Sequence, residues 1–324
     1  MFAGILGLQG CGHDSTESDE KSQAMKSKVS EVKAQETVAE ESNTPSESSD
    51  TKYTPALWKV EHNGVTSYLF GSIHMGDASM YPLPKAVTDA YESTEALAVE
   101  IDMANVNQME MAQKVQQLGM DPNYSLESVL KEDTLTEYKE YCEETKAPCA
   151  MFNTFEPWLT AITLESINMQ KSGYSDKYGI DMHFLNQARD NKEIIELETV
   201  DSQLNMLDGM SLSVQDAFLL SVVSREGDDT QELVEAWKTG NVEEYLQTSF
   251  EDAKEIGLSG EDYNTFIDDL LYKRNKGMAE GLAKQFEQGK AIFAVVGAAH
   301  YGGDKSVNHY LEELGFNVER VNYE

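Results

Sequence analysis

The sequence predicts a mixed α/β fold in which a central sheet carries glycine–histidine motifs at the ends of two strands. Two copies of a GxxH pattern lie near opposite ends of the 324-residue chain, GSIH at residues 71–74 and GAAH at residues 297–300. Each copy follows a run of apolar and β-branched residues, which is typical of a buried strand. The segment between them has mostly helical periodicity, which indicates an α/β core with a large helical insertion.

The first two strands are expected to form a hairpin. Two strand-like runs, residues 57–61 and 65–70, flank the pair Asn63-Gly64. An Asn-Gly pair in this setting is the strongest short-range hairpin signal. The first GxxH motif therefore ends the second arm of the hairpin. A proline-rich loop follows, and Pro84 is expected in the first turn of the next helix.

The rest of the body alternates strands with helices. Four further strands are expected at residues 96–102, 194–198, 291–297 and 316–321. Helices are expected between them, over about residues 105–188, 202–287 and 306–314. Gly315 stands between the last helix and the last strand, where it is a suitable helix cap.

The two motif histidines are candidates for one shared site. A glycine at the end of a strand lets the backbone turn sharply or approach a ligand closely. His74 and His300 would then stand past the carboxyl ends of the strands, where open α/β sheets bind their ligands. A single GxxH is a weak motif, because a histidine after a strand is commonly a structural hydrogen-bonding residue. Two copies in a chain with six histidines favour a functional pair.

The N-terminus resembles a bacterial lipoprotein signal. Residues 1–10 are a short apolar stretch, and the LQGC run that ends at Cys11 is similar to a lipobox. No basic residue precedes the stretch, so an ordinary N-terminus with an incidental cysteine is the alternative. Residues 12–54 are rich in polar side chains and cannot offset their ordering entropy. We therefore expect a signal segment at 1–11 with a lipidated Cys11, a disordered tether at 12–54 and a folded domain at 55–324.

Charge and cysteine content restrict the partners and the compartment. The formal charge of −33 argues against nucleic acid as a partner and favours cations in any cleft that the field reaches. A lipid anchor would place the protein outside the cytoplasm, on a bacterial cell membrane, where disulfides persist. Cys142 and Cys149 either pair across a short loop or are two reduced thiols, because sequence alone does not fix connectivity.

Several segments together resemble the TraB/GumN family. They are LWKV at 57–60, YLFGSIHMG at 68–76, YPLP at 81–84, VEID at 99–102, GIDMHF at 179–184, ELET at 196–199, RNKGM at 274–278 and VVGAAHYGG at 295–303. The match is collinear and covers roughly residues 54–324. The family includes Tiki-type proteins, which are metal-dependent proteases that act outside the membrane. It is also similar to erythromycin-esterase-like and haem-binding ChaN-like proteins, and the resemblance implies their architecture.

Imidazole and carboxylate groups at these strand ends suit a divalent metal. Such ligands bind Mn, Co or Zn, and a small ligand set leaves positions at which a water or a carbonyl can be activated. We expect His74, His300 and Glu100 as ligands, since Glu100 ends a strand and matches the acidic residue that the family has there. Asp102 lies on the same strand face as Glu100 and is expected to orient a histidine. The alternative for both carboxylates is a helix cap or a solvated position.

Three more residues complete the candidate site. Glu198 ends a strand and is a candidate general base or further ligand. The resemblance makes Arg274 a candidate for holding an oxyanion or a substrate carboxylate, with Asn275 as its hydrogen-bonding neighbour. The alternative is that Glu198 and Arg274 form a purely structural ion pair.

The expected function is that of a surface-anchored, metal-dependent hydrolase, with a peptide or protein as substrate. The alternative on the same fold is a non-catalytic protein that sequesters a peptide signal, haem or metal, and a third possibility is a structural lipoprotein. The chain has no HExxH helix, GxSxG elbow, P-loop or dinucleotide fingerprint. These absences exclude the common zincin, serine hydrolase and nucleotide-binding classes.

Overall fold

A six-stranded sheet forms the centre of the fold. The computed structural model of the chain describes residues 53–224, 229–245, 247 and 260–323. The strands are β1 (Leu57–His62), β2 (Val65–Ser72), β3 (Ala96–Val99), β4 (Glu193–Glu196), β5 (Ile292–Gly297) and β6 (Asn317–Arg320). Their order across the sheet is β4-β3-β5-β2-β1-β6. The predicted α/β class with a central sheet is confirmed.

Four neighbouring strands run parallel and fix where the site lies. β2 pairs with β5, β5 with β3, and β3 with β4, all in parallel register. β1 pairs antiparallel with both β2 and β6. The carboxyl ends of β2, β5, β3 and β4 therefore meet at one edge of the sheet, which places both GxxH motifs on the same side.

The hairpin between β1 and β2 is confirmed. His62 pairs with Val65, so the turn contains only Asn63 and Gly64. Both central residues have positive φ, +50° for Asn63 and +80° for Gly64. This conformation is the one that an Asn-Gly hairpin turn requires.

Helices fill the connections between the strands. Those that the structure describes are α1 (Lys85–Glu92), α2 (Gln108–Gly119), α3 (Leu126–Val129), α4 (Glu132–Thr145), α5 (Pro157–Lys171), α6 (Ile180–Ala188), α7 (Val200–Asp208), α8 (Leu212–Val223), α9 (Asp229–Thr239), α10 (Gly260–Ile267), α11 (Lys273–Glu287) and α12 (Val307–Glu313). A π-helical turn, Asp268–Tyr272, joins α10 to α11. Pro84 is the residue before α1 and not within its first turn, which corrects the expected position by one residue.

Both faces of the sheet are covered, which explains why its central strands β3 and β5 are continuous apolar runs. On one face, Phe70 of β2 packs edge-on against Phe184 of α6 and Trp237 of α9. On the other face, Leu69 and Val296 belong to a buried cluster with residues of α11 and α12. The Trp237 indole N–H also donates to the Gly71 carbonyl at 2.8 Å, which attaches α9 to the end of β2.

A separate apolar cluster supports the helical insertion. It joins α4, α5, α8 and α10 around Trp158 and Phe218. Cys142 of α4 and Cys149 form a disulfide across a separation of seven residues, which decides between the two alternatives left open by the sequence. The helical insertion is therefore a packed body attached to the sheet, as the long helical region of the sequence predicted.

The predicted signal segment, its Cys11 and nearly all of the predicted tether lie outside the described residues. The last two tether residues, Tyr53 and Thr54, already contact the folded body: the Tyr53 hydroxyl donates to the Pro82 carbonyl and the Thr54 N–H donates to Lys238. Over the described ranges, no single helix is long and apolar enough to cross a bilayer. The pair α7 and α8 reaches that length and composition together, but it is bent by 100°.

Candidate functional site

Four of the predicted site residues converge at the carboxyl edge of the parallel strands. His74 follows β2, Glu100 follows β3, Glu198 follows β4, and His300 lies in a short 3₁₀ turn directly after β5. His300 is fully buried and Glu100 is 5% exposed. Buried polar groups of this kind require partners, and their partners define the site.

His74 is oriented by a carboxylate from α6. Its Nδ1 lies 2.7 Å from Asp181 Oδ2, and the Ser72 hydroxyl donates to Asp181 Oδ1 at 2.7 Å. The Nδ1 position therefore carries the hydrogen of this bond. The other ring nitrogen, Nε2, is buried and has no hydrogen-bond partner among the described residues. A histidine held through Nδ1 by a carboxylate, with Nε2 unpartnered, has the arrangement of a metal ligand with an outer-sphere partner.

Close approach of backbone brings Asp181 to this histidine. Gly179 precedes α6, and a Cβ at that position would overlap the His74 carbonyl oxygen. The Ile180 N–H also donates to the Ile73 carbonyl at 3.0 Å. Only glycine permits this contact, so the first turn of α6 sits directly on the end of β2.

The pair of His74 and Asp181 is charged. Burial lowers the pKa of His74, but the Asp181 carboxylate and then Glu100 raise it, and the balance places the pKa at about 9. Burial raises the pKa of Asp181, whereas the charge and hydrogen bond of His74 lower it, with a net lowering. The imidazolium and carboxylate therefore stabilise each other inside the fold.

His300 has an uncharged partner, and its imidazole is itself neutral. Its Nδ1 lies 2.5 Å from Asn275 Oδ1, and the Asn275 amide nitrogen donates to the Lys305 carbonyl at 2.8 Å. Burial, followed by the charges of Arg274 and His74, holds the pKa of His300 well below its usual value. Its Nε2 is also buried without a hydrogen-bond partner in the described ranges.

Arg274 joins the two carboxylates of the site. Its Nη2 donates to Glu100 Oε2 at 2.7 Å and to Glu198 Oε2 at 2.5 Å, while Nε donates to Glu198 Oε1 at 2.8 Å. The Gly297 N–H donates to the other Glu100 oxygen at 2.8 Å, and that oxygen lies 3.8 Å from His300 Nε2. Burial raises the pKa of Glu100, Arg274 lowers it and Glu198 raises it again, so the net shift is upward.

A π-helical turn aims Arg274 at these carboxylates. The turn Asp268–Tyr272 ends immediately before α11, and the Arg274 Nη1 donates to the Leu270 carbonyl inside it at 3.1 Å. Turns of this type widen a helix by one residue and occur often at functional sites. The arginine is 8% exposed. Its guanidinium is therefore shielded from solvent and interacts mainly with the two carboxylates and the Leu270 carbonyl.

The sequence did not identify Gln203, which also bridges the carboxylates. Its amide nitrogen donates to Glu100 Oε2 at 3.1 Å and to Glu198 Oε2 at 2.9 Å. The side chain comes from α7 and is 3% exposed. In the sequence, its only signal was a polar residue on the same helix stripe as Leu204 and Leu207.

Comparison with known proteins identifies the family. A profile of the TraB/PrgY/gumN family matches residues 56–320. The chain belongs to the TraB/PrgY/gumN family. It is 31% identical over 142 residues to an uncharacterized protein YbaP of Shigella flexneri and 30% identical over 141 residues to an uncharacterized protein YbaP of Escherichia coli K12. These matches cover 44% and 43% of this chain, and 51% of each relative. No solved structure matches the chain.

Within this TraB/PrgY/gumN fold, Asp102 does not take the position expected for it. In the described part of the chain its carboxylate pairs with Arg189 at 3.0 Å and with neither histidine. The expectation used the alternation of side chains along a strand, but β3 ends at Val99. The backbone then turns, as the bond from the Met103 N–H to the Ile101 carbonyl shows. Asp181 has the orienting position that was assigned to Asp102.

Arg274 and Asn275 also differ from their expected roles. Arg274 was expected to face a substrate oxyanion or carboxylate, with Asn275 as its hydrogen-bonding neighbour. The structure instead engages the Arg274 guanidinium with Glu100, Glu198 and a backbone carbonyl, and Asn275 with His300. Both are therefore positioning residues in this geometry. The ion pair of Glu198 and Arg274, which was the structural alternative, is present and belongs to the same cluster as Glu100.

The donor atoms fit a divalent cation through the two imidazoles. His74 and His300 each offer a buried, unpartnered Nε2, and each is held through Nδ1. A cation bound at His74 Nε2 would replace the proton of that nitrogen. Over the described ranges no group of three or more His, Cys, Asp or Glu side chains is arranged to hold a metal. Glu100 accepts hydrogen bonds from Arg274 and the Gly297 N–H, and its Oε1 lies 3.8 Å from His300 Nε2, so Oε1 is the carboxylate oxygen that would approach a metal.

Proposed function

We propose that this TraB/PrgY/gumN family member is a metal-dependent hydrolase that cleaves peptide bonds outside the cytoplasm. The observation that supports it most directly is the pair of buried Nε2 atoms on His74 and His300 without hydrogen-bond partners. Burying such a group without a partner costs about 1–3 kcal/mol, so two at one edge of a sheet require an explanation. A shared ligand accounts for both.

The chain's own residues divide the work of such a reaction. A bound Mn, Co or Zn ion would supply a Lewis acid that polarises a carbonyl and acidifies a water. Asp181 and Asn275 hold the two imidazoles in fixed orientations through their Nδ1 atoms. Glu198 lines an open cleft, where its carboxylate would take up a proton from the attacking water. Arg274 holds the carboxylates of Glu198 and Glu100 next to each other through an ion pair with each.

The proposed location is the outer face of a bacterial cell membrane, with a lipid anchor at Cys11. The disulfide between Cys142 and Cys149 supports an oxidising compartment, because disulfides are rare in the cytosol. The proposed substrate is a peptide or protein, and the strongly negative charge of −33 argues against nucleic acid.

Metal-dependent thermal stabilisation tests the proposal. The full chain, His74→Ala/His300→Ala and the control His309→Ala are each melted with and without Mn²⁺, Co²⁺ or Zn²⁺. A cation at about 100 times its Kd stabilises the native state by about 2.7 kcal/mol. We expect this for the wild type and for the control, whose histidine on α12 has a side chain that is 42% exposed. We expect a loss of the stabilisation in the double variant.

Cleavage of a peptide library by the metal-loaded protein is the second measurement. Metal-dependent products that disappear in the double variant support the hydrolase. The absence of stabilisation by any of the three metals overturns the proposal. Metal binding without cleavage of any peptide overturns the catalytic part and leaves a protein that sequesters a peptide signal, haem or metal.

A further inference from the structure

A cleft of about 850 Å³ opens beside the candidate site. Its walls are the residues that follow β4, the exposed side of α7 and the first half of α11. This volume lies within the range of about 300–1,000 Å³ that is usual for ligand-binding clefts. The cleft is therefore large enough to hold more than one residue of a polymeric ligand.

The cleft is continuous with the candidate site through two side chains. Glu198 and Arg274 line it, and both are bonded to each other. Arg274 also bonds Glu100, whose second oxygen lies 3.8 Å from His300 Nε2. A ligand in the cleft therefore contacts the same carboxylate cluster that faces the histidines.

The outermost strand of the sheet ends at this cleft. β4 is the outermost strand and, among the strands of the described residues, pairs only with β3. Its last residue, Glu196, and the following Leu197 line the cleft. An edge strand presents backbone N–H and C=O groups to which an extended chain can bond.

The lining of the cleft carries more negative than positive charge. It carries three carboxylates, Glu196, Glu198 and Asp269, against two cations, Lys273 and Arg274. Both cations are already paired, Lys273 with Asp269 and Arg274 with Glu198. The chain as a whole has a charge of −33. Apolar surface between these charges comes from Leu197 and Met206.

We propose that this cleft binds an extended peptide segment of neutral to basic character, which lies alongside β4 and leads to the histidines. This assignment rests on the proposed function and names its substrate class. Backbone groups of β4 bond the peptide, the carboxylates favour lysine and arginine over acidic side chains, and the Leu197 and Met206 side chains contact its apolar residues.

A large side chain at position 277 would obstruct the cleft without contacting the imidazole nitrogens of His74 and His300. Gly277 lies on α11 in the wall of the cleft, and a Cβ there would meet nothing within 4 Å. Gly277→Trp places an indole in the cleft, whereas Gly277→Ala adds one carbon and serves as the matched control for helix propensity. The probes are labelled peptides of one framework that carry lysine, glutamine or glutamate at the same positions. Their binding is measured by fluorescence anisotropy with a chelator present, so that no cleavage occurs.

We expect the wild type and Gly277→Ala to bind the lysine peptide more tightly than the glutamine peptide, and the glutamate peptide least. Gly277→Trp should weaken binding of the lysine peptide by about tenfold or more, because the indole occupies the space that the peptide needs. Equal binding by Gly277→Trp and wild type, or no preference among the peptides, overturns the inference.

Metal stabilisation of the same variants separates this inference from the proposed function. Gly277→Trp should keep the stabilisation by Co²⁺ or Zn²⁺, since the imidazoles are unchanged. Cleavage that proceeds equally well in Gly277→Trp rejects the cleft and leaves the hydrolase intact. Absence of metal stabilisation in the wild type rejects the hydrolase, whatever the cleft binds.

Discussion

His74 and His300 stand at one edge of one sheet and nevertheless differ in charge. His74 has a carboxylate partner, Asp181, and a pKa of about 9. His300 has an amide partner, Asn275, and a pKa well below its usual value. Burial disfavours the cation in both, so the difference comes from the charges around each ring. The partner of Nδ1 therefore helps to determine whether Nε2 of each imidazole carries a proton.

The Asp181→Asn variant tests the outer-sphere role of this carboxylate. The amide oxygen can still accept a hydrogen bond from His74 Nδ1. The negative charge that makes Nε2 a better electron-pair donor to a metal is lost. We expect the affinity for Co²⁺ or Zn²⁺ to fall by about 10–100-fold, measured by isothermal titration calorimetry. Asp176→Asn removes a charge from the exposed turn just before α6 and is the control. Equal affinities in the two variants would contradict the role assigned to Asp181.

Gln203 is expected to matter for stability as well as for the site. The Gln203→Leu variant removes the donor shared by Glu100 and Glu198 and leaves two buried carboxylates with Arg274 as their main partner. We expect a loss of about 1–3 kcal/mol in the free energy of unfolding, measured in urea. Gln117→Leu, on the exposed side of α2, should change it by less than about 0.5 kcal/mol. A cost for Gln203→Leu as small as that of the control would show that the bridge contributes little.

At the scale of elements, the strands were predictable and the helices that complete the site were not. Glycine after an apolar run marked the ends of β2 and β5, and parallel pairing then brought the histidines to one edge. Asp181 and Gln203 reach the site from α6 and α7, whose docking depends on contacts between distant segments. Local periodicity contains no information about that docking. Asp102 was misassigned for a different reason, because the strand pattern was extended past the point where the backbone turns.

Gly179→Ala tests the docking of α6 on β2. The added Cβ overlaps the His74 carbonyl oxygen, which is backbone and cannot move aside cheaply. We expect a loss of about 1–3 kcal/mol in the free energy of unfolding together with weaker metal binding, because Asp181 shifts away from His74. Gly277→Ala, which meets open space within α11, should instead be neutral or stabilising by up to about 1 kcal/mol. Unfolding in urea and metal titration of both variants decide the matter, and an unchanged Gly179→Ala would refute the packing argument.

At the scale of the whole molecule, charge sets what can approach the site. The chain has 58 acidic and 25 basic side chains. A field of one sign raises the local concentration of oppositely charged ligands and speeds their association. Cations should therefore be steered towards the carboxyl edge, where Arg274 neutralises only part of the charge of the buried carboxylates.

Salt should therefore slow the binding of cations to the wild-type chain. Raising NaCl from about 20 mM to about 500 mM shortens the screening length several-fold, and we expect the association rate of Co²⁺ to fall by about tenfold. Stopped-flow absorbance of the cobalt complex measures this rate, with sucrose in place of salt as the control for viscosity and osmolality. The dissociation rate should change much less, because salt only weakly screens the contact between the metal and the buried Nε2 atoms. A rate of association that is independent of salt would mean that the acidic surface serves solubility alone and does not steer metal to the histidines.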